Sequence, residues 1–449
     1  MFTNLIFLIV ALMVINVSPE TAQQSAYLPP AEAFEAGLAL YLLLLALLFI
    51  QGKWLMKGSG TSPIPALLAN SEILFFLICF HYILHAEAFY VTLSWIGSFQ
   101  TIPSLISLFF YFFGLFVFHW TSEKKHWHSA LKKVLFLLPF AIPFLLFTLV
   151  SDLGSLLPST FVGKWINPEA PLLALCIGIG GTLLFLGLML VFFPPLMQAM
   201  WGCVPLPPSP LLTRLELLCR KAHFKHAGIK VWTVMNHAIT AAIIGVAPPF
   251  RYVMFTKTIL KHLSADEIEA ILAHEIGHSH NKHLLYYPLV IFGMVVATGL
   301  FSLFFLDSIH NFFLLKNLQY PSPIWETAAS LGLLFFYVLI TFVYFRLVFG
   351  FFSRNFERQA DLHVFKVGAS PEALIQALDH VGNLTGHSHK QPSWHHGSIE
   401  ERINFLNQAI ANPRLIKLHD KRVNKIRWIY AGVLLVATFI LLTLSSSPA

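Results

Sequence analysis

Charged side chains are scarce in this sequence. They make up 11% of its 449 residues, whereas a typical soluble domain contains about 25%. Hydrophobic residues make up 56%, and the mean hydropathy is +0.69. This composition excludes an ordinary soluble globular protein and indicates a protein embedded in a membrane.

Cysteine is also scarce, and no two of the four cysteines form a CxxC pair. They are spread along the chain, at Cys79, Cys176, Cys203 and Cys219. This spacing predicts neither a disulfide framework nor a zinc site built from cysteines.

Long apolar runs are plentiful. A membrane-spanning helix needs about 20 mostly apolar residues, and eight runs qualify. A ninth, shorter run at 5–17 is either a first span or a signal-peptide core, and we favour an uncleaved span because it lacks a basic start and a clear cleavage site. We therefore expect a mainly α-helical, multi-pass membrane protein with eight or nine transmembrane helices. The eight longer runs are 36–51, 73–97, 102–120, 134–151, 170–195, 285–306, 325–350 and 428–445.

Basic residues are nearly absent from one side of this topology. If residues 18–35 lie outside, every lysine and arginine except Lys164 and Lys316 falls on the cytoplasmic side, as the positive-inside rule requires. The first outside loop contains acidic residues but no lysine or arginine. We therefore interpret the net charge of +7 as a topology signal, and it requires no nucleic-acid partner.

The same topology predicts five segments, of which two are cytoplasmic and long enough to hold chemistry. Four prolines between 205 and 210 mark a linker into the first of these. The predicted segments are an N-terminal membrane region of five or six spans (1–201), a cytoplasmic segment (202–284), a two-span hairpin (285–350), a second cytoplasmic segment (351–427) and a C-terminal span (428–449).

The first cytoplasmic segment contains the run LSADEIEAILAHEIGH, residues 263–278. Ser264 and Glu267 have the spacing of a capping box, so a helix is predicted over 265–280. On that helix His274 and His278 lie on one face, one turn apart, where both can bind one zinc ion. Glu275 points about 100° away from His274, so it is suited to act as a general base rather than as a ligand.

The second cytoplasmic segment begins with SRNFERQAD, residues 353–361. A catalytic zinc ion often has two histidines and one glutamate as ligands, and Glu357 is the best candidate for the third ligand. Asp361, one turn later, can accept a hydrogen bond from a ligand histidine. Taken alone, this pair also fits a solvated charged face.

These motifs resemble the family that contains the bacterial heat-shock protease HtpX and the type I CAAX prenyl protease. The resemblance covers about 205–410 and includes a third block, HGSIEER, at 396–402. It implies a small cytoplasmic α+β zincin-like catalytic unit with one Zn²⁺ per chain, in a bacterial inner membrane. It also implies these site residues: zinc ligands His274, His278 and Glu357, general base Glu275, supporting acid Asp361, oxyanion-stabilising His396 (with His395 as an alternative) and supporting Arg402.

The chain departs from the family pattern at two places. Gly397 stands where the family usually has proline. The family motif Asn-Ala-x-x-x-Gly corresponds here to Thr240-Ala-Ala-Ile-Ile-Gly245, with threonine in place of asparagine. In the family this strand edge holds an extended substrate, so Thr240, Ala241 and Gly245 are predicted to bind substrate, within a short antiparallel sheet near 229–257.

Other histidines are less informative. His81 and His85 are four residues apart in an apolar run, close to Glu87. Such a group in a membrane is a functional candidate, but no third ligand is evident, and we favour a hydrogen-bonded structural role. The remaining candidates, which we interpret as surface or interfacial residues, are His280, His283, His387 and His389.

The predicted function is therefore a membrane zinc endopeptidase. Its partners would be the lipid bilayer and membrane-associated, misfolded or prenylated protein substrates, cleaved at the cytoplasmic face. A signal-transducing metalloprotease of BlaR/MecR type is an alternative, but it needs an outside ligand domain, and the predicted outside loops are shorter than about 20 residues. An inactive scaffold is a second alternative, disfavoured by the intact metal and base residues. The sequence leaves the oligomeric state open.

Overall fold

The computed structural model describes residues 2–16, 28–57, 64–93, 99–122, 126–155, 171–233, 239–315, 323–385, 389–391 and 396–445. The chain forms two compact units, one of Met1–Met189 with Leu318–Phe336 and one of Leu190–Asn317 with Tyr337–Ala449. The five segments expected from the membrane topology stay a prediction.

The first unit consists of apolar helices. Helix α5 (Thr101–Ser122) packs against α2 (Pro30–Lys57) and α6 (Trp127–Ser155). Phe76 and Tyr111 are among the fully buried side chains of this unit. Asp152 near the end of α6 accepts hydrogen bonds from the backbone N–H groups of Gln100 and Thr101, at 2.9 and 2.8 Å. The helices are α1 (Phe2–Asn16), α2 (Pro30–Lys57), α3 (Ile64–Ile78), α4 (Ala88–Val91), α5 (Thr101–Ser122), α6 (Trp127–Ser155) and the first part of α7 (Pro171–Met200).

Seven helices among the described residues are long and apolar enough to cross a membrane. Every predicted span overlaps one of these seven or one of two shorter apolar helices, Asn4–Ile15 and Gly187–Met200. A mainly α-helical, multi-pass membrane protein is thus confirmed, while the number of spans stays a prediction. The seven are Pro30–Trp54, Ile64–Ile83, Thr101–Ser122, Trp127–Leu153, His283–Phe305, Leu331–Val367 and Arg414–Leu444.

The predicted span 73–97 is wrong in its bounds. The helix begins at Ile64, continues through a π-helical turn at Cys79–Ile83, and ends there. The backbone leaves the helix at His85, whose φ is +50°. Beyond this break, Glu87 lies 2.5 Å from Nδ1 of His81. Hydropathy extended the prediction because the residues after the break are also apolar.

The second unit contains a four-stranded sheet in the order β1-β2-β4-β3. Strand β4 runs parallel to β2, and the other two pairs are antiparallel. The expected antiparallel sheet is therefore mixed, because the chain reverses once into β3 and again at the 3-10 turn Pro248–Phe250. The strands are β1 (Cys203–Pro205), β2 (Gly228–Trp232), β3 (Ala241–Ile244) and β4 (Tyr252–Thr256).

The rest of the second unit is mainly helical. A core of apolar side chains, including Val253, Leu272, Val364 and Leu374, joins the sheet to the helices that follow. The helices are α8 (Pro210–Lys221), α9 (Lys257–His262), α10 (Ala265–His280), α11 (His283–Leu315), α12 (Pro323–Tyr344, which begins in the first unit), α13 (Gly350–Asp361), α14 (His363–Val367), α15 (Pro371–Thr385), α16 (Ile399–Ala411) and α17 (Arg414–Ser445).

The close approach of α10 to α13 and α14 depends on a glycine. A Cβ atom added to Gly277 would lie 2.7 Å from Cβ of His363 and 2.9 Å from Cα of Ala360. Neither neighbour can move without shifting backbone, so a larger residue at 277 would push the helices apart. Gly277 precedes His278 directly, and its lack of a side chain therefore helps to bring the two halves of the candidate site together.

Candidate metal centre

Helix α10 carries the HExxH residues, and it has the predicted bounds. The Ser264 backbone N–H donates to Oε2 of Glu267 at 2.7 Å, and the Glu267 N–H donates to Oγ of Ser264 at 3.3 Å. This capping box satisfies two backbone donors at the start of the helix. On the helix face, the Nε2 atoms of His274 and His278 lie 3.2 Å apart.

Helix α13 brings Glu357 to these two rings. Its Oε2 lies 3.5 Å from Nε2 of His274, and its Oε1 lies 3.3 Å from Nε2 of His278. One ligand atom from each residue lies within 4.8 Å of the other two. Glu357 is buried, with 4% of its surface exposed. The structure thus places the predicted third ligand beside the two histidines, although it lies 79 positions after His278 in the sequence.

The donor set fits a bound metal ion. Glu357 Oε2 is buried and has no hydrogen-bond partner among the described residues. The two Nε2 atoms face each other, and two acceptors in that position repel unless a cation or a proton lies between them. A metal ion would satisfy both nitrogens and the carboxylate oxygen together. Two imidazoles and one carboxylate are typical ligands of catalytic zinc and suit several other transition metals.

Asp361 and Arg402 support His274 from behind. Nδ1 of His274 lies 2.8 Å from Oδ1 of Asp361, a fully buried carboxylate. Arg402 donates to both Asp361 oxygens, from Nε at 3.0 Å and from one terminal nitrogen at 2.6 Å. Because a carboxylate only accepts, His274 must hold its proton on Nδ1, which leaves Nε2 free to bind a metal.

His396 also lies at the site. Its Nδ1 is 3.0 Å from Oε1 of Glu357, and 46% of its side chain is exposed, so it can reach solvent or a substrate. Gly397 follows with a φ of +76°, a value that proline cannot adopt because its ring fixes φ near −65°. This backbone therefore excludes the proline of the family pattern and favours glycine. The alternative residue, His395, lies outside the described residues.

Electrostatics distinguish the ionisable groups of this site. Burial raises the pKa of Glu275 above its ordinary value, and the neighbouring His274 and His278 oppose the shift only in part. Burial acts to lower the pKa of His278, but the Glu357 carboxylate outweighs it and the pKa is raised. A raised pKa suits a general base because it increases proton affinity.

The predicted substrate strand forms an edge of the sheet. Ala241 begins β3, which pairs with β4 on one side and with no strand of the described residues on the other. Thr240 is anchored from both directions: its N–H donates to Oγ1 of Thr256 at 3.3 Å, and the Thr256 N–H donates to its carbonyl at 3.1 Å. Gly245 ends the strand with a φ of +92°. Strand β3 packs beside α10, which carries the HExxH histidines.

The prediction for His283 is wrong, because this residue is fully buried rather than exposed at a surface. Its Nδ1 lies 2.9 Å from Nδ1 of His278, and its Nε2 lies 3.0 Å from Oε1 of Gln359. His283 is five residues after His278, so helical spacing gives no signal for the contact. A turn at Lys282, with a φ of +58°, precedes α11 and brings the His283 ring back to His278.

The part of the chain that contains this site matches a known protein family. The model of peptidase family M48 matches residues 209–410, a range that contains every predicted site residue. Among solved structures, the crystal structure of S. mikatae Ste24p is similar at 18% identity and a TM-score of 0.33, over 85% of this chain and 99% of that one. No curated protein matches. The predicted resemblance is confirmed over this range: residues 209–410 of this multi-pass membrane protein match peptidase family M48, a family of metallopeptidases.

Proposed function

We propose that this protein is a zinc-dependent endopeptidase that hydrolyses peptide bonds of membrane-associated, misfolded or prenylated proteins. The observation that carries the proposal is the convergence of His274, His278 and Glu357, whose ligand atoms lie within 4.8 Å of one another. These residues would hold one zinc ion per chain. When bound, zinc supplies Lewis-acid chemistry that activates water and polarises a carbonyl group.

The residues around this cluster have separate roles in the proposed hydrolysis. Glu275 takes a proton from the attacking water and delivers it to the leaving amine, a role that its raised pKa supports. His396, half exposed beside Glu357, donates a hydrogen bond to the developing oxyanion. Asp361 and Arg402 keep His274 in the tautomer that binds metal.

A substrate chain would bind along β3. Its free edge offers backbone N–H and C=O groups to an extended peptide, which is the usual way for a sheet edge to recognise one. Thr240, Ala241 and Gly245 lie on or next to this edge. The anchoring of Thr240 on Thr256 keeps the start of the edge in place although the family asparagine is missing.

The active site would face the cytoplasm of a bacterial inner membrane. Two apolar helices, α11 and α12, separate His278 from Glu357 along the chain, and an even number of spans is needed for both to share one side. The membrane type rests on the resemblance to HtpX. Single cysteines at positions 282, 316 and 390, in a cysteine-free background, test the orientation. Labelling of 316 from outside, and of the other two only after permeabilisation, is expected; outside labelling of 282 or 390 would overturn it.

The activity is tested with purified protein in lipid nanodiscs. We expect about one zinc ion per chain by elemental analysis and cleavage of an unfolded membrane protein. A chelator should abolish cleavage, and added zinc should restore it. Zinc binding without cleavage would instead favour an inactive scaffold, and cleavage that survives zinc removal would overturn the metallopeptidase mechanism.

A further inference from the structure

The two ligand histidines are supported in different ways. Each has Nε2 directed at the ligand cluster, so each must hold its proton on Nδ1 for Nε2 to bind a metal. His274 meets a carboxylate at Nδ1, and a carboxylate only accepts. His278 meets a second imidazole, that of His283, which can donate or accept. The residues beyond His283 therefore decide the tautomer of His278.

A chain of side chains continues from His283 to the last helix. Nε2 of His283 lies 3.0 Å from Oε1 of Gln359, and Nε2 of Gln359 donates to Oδ1 of Asp420 at 2.8 Å. Lys366 donates to the other Asp420 oxygen at 2.7 Å. His283 and Gln359 are 0% and 1% exposed, so bulk solvent does not compete for their polar atoms.

The direction of each hydrogen bond follows from Asp420. An ionised carboxylate accepts only, so the amide nitrogen of Gln359 faces Asp420 and its carbonyl oxygen faces His283. Arg427, a pure donor, lies 3.5 Å from the same carbonyl oxygen and favours the same orientation. His283 must then carry its proton on Nε2.

The tautomer of His283 in turn determines the tautomer of His278. With its proton on Nε2, a neutral His283 presents an acceptor at Nδ1, and His278 donates to it from its own Nδ1. Nε2 of His278 then has a free lone pair. The ring of His283 is held in the required plane by Phe356, at a centroid distance of 4.2 Å and an angle of 4°.

We propose that Asp420, Gln359 and His283 form a directional hydrogen-bond relay that fixes the tautomer of His278 for metal binding. The relay rests on the proposed function, because it presupposes a metal bound by His278. All three are positioning residues, supplied by α17, α13 and α11. The last membrane-spanning helix would thus contribute to the metal centre through its cytoplasmic end.

The first test measures zinc affinity by competition with a chelator, independently of peptidase activity. His283→Phe removes both nitrogens but keeps an aromatic ring against Phe356. Loss of a residue that orients a metal ligand lowers metal affinity on the order of 10–100-fold, and we expect that range. The matched control is His419→Phe. His419 is also a buried histidine, but it lies on α17 and contacts the Asn355 carbonyl at 3.2 Å. This variant should retain the wild-type zinc affinity within twofold.

The second test reverses the direction of the hydrogen bond between Gln359 and Asp420 and then restores it. In Asp420→Asn, the remaining side-chain oxygen at this position stays with Lys366 and the new amide group faces Gln359, which favours a flipped Gln359 and the wrong His283 tautomer. We expect zinc affinity to fall about tenfold or more. In the double variant Gln359→Glu/Asp420→Asn, the new carboxylate accepts from both neighbours, so the original tautomer and an affinity within threefold of wild type should return.

These outcomes separate the relay from a merely structural role. Thermal unfolding of the zinc-free variants checks that each is folded. Affinities within twofold of wild type for His283→Phe or Asp420→Asn would overturn the relay, as would a loss that the double variant does not restore. A wild-type protein that binds no zinc would overturn the relay and the proposed function together. Zinc results as expected, without peptide hydrolysis, would overturn only the peptidase function.

Discussion

Two pairs of histidines in this chain share the same four-residue spacing and a neighbouring carboxylate, but their structures differ. In the first unit, His81 uses both ring nitrogens, with Glu87 at 2.5 Å and Ser107 at 3.0 Å. In the second unit, the Nε2 atoms of His274 and His278 face each other and a carboxylate from another helix. His81 thus has a hydrogen-bond partner for each ring nitrogen without a metal, whereas the second cluster contains a buried Glu357 oxygen, Oε2, that has none among the described residues.

The backbone explains this difference. Around His81 the helix passes into a π-helical turn and ends, and His85 has a φ of +50°, so the two rings are not stacked on one helix face. Helix α10 continues without interruption from Ala265 to His280. In this chain, histidines at this spacing form a candidate metal site only where the helix continues past both of them and a third residue directs a carboxylate oxygen without a hydrogen-bond partner at their rings.

The largest expected effect follows from removing that third ligand. Glu357→Ala leaves two histidines, which are too few to hold zinc tightly at a catalytic site. We expect the folded protein to lose stoichiometric zinc and all measurable cleavage. Glu372→Ala, an exposed glutamate on α15, is the control and should retain both. Stoichiometric zinc in folded Glu357→Ala would remove Glu357 from the ligand set.

The next effect separates chemistry from metal binding. Glu275→Gln keeps size and polarity but cannot accept the proton from water, so we expect cleavage to fall at least about 100-fold while zinc content stays unchanged. Glu269→Gln, six residues earlier on the same helix and paired with Arg214, is the matched control. Cleavage by Glu275→Gln within a few-fold of wild type would contradict its role as the general base.

A smaller effect is expected behind His274. Asp361→Asn presents an amide that can donate to Nδ1, which destabilises the tautomer that binds metal and weakens the contact with Arg402. Zinc affinity should fall on the order of 10–100-fold in a chelator competition. Asp379→Asn, at an exposed aspartate that contacts His389, should leave it unchanged. Equal affinities for the two variants would show that Asp361 does not orient His274.

Features of the site that depend on short-range signals could be predicted from the sequence. The capping box at Ser264 fixed the start of α10, and helical spacing put His274 and His278 on one face. Glu357 was chosen from the usual ligand set of catalytic zinc and was then matched by the family motif, because no local pattern links residues 79 positions apart. His283 was missed since its position depends on one left-handed residue, Lys282, whose conformation is not evident from its side chain.

For the fold, too, local features could be predicted from the sequence, whereas features that depend on changes in chain direction could not. Hydropathy located the apolar helices, but it did not locate the end of the span Ile64–Ile83, which begins with α3. There the hydrogen-bonded pair His81 and Glu87 stands among apolar residues. Residues 229–257 were expected to form an antiparallel sheet, but the direction of β4 depends on two reversals of the chain after β2. Gly397 could be identified as a departure from the family, but only its φ of +76° explains why proline is excluded.

The smallest effect returns to the first histidine pair. His81→Phe keeps an aromatic ring but removes both hydrogen bonds, leaving Glu87 without one partner inside an apolar unit. A side-chain hydrogen bond in a membrane protein contributes on the order of 1 kcal/mol, so we expect the thermal midpoint to fall by a few degrees. Zinc content should remain at one ion per chain, because neither ring nitrogen of His81 belongs to the ligand cluster. His128→Phe, at an exposed histidine near the start of α6, is the control and should change neither quantity. Loss of zinc in His81→Phe, with the fold retained, would contradict the structural role of this pair and the distinction between the two histidine clusters.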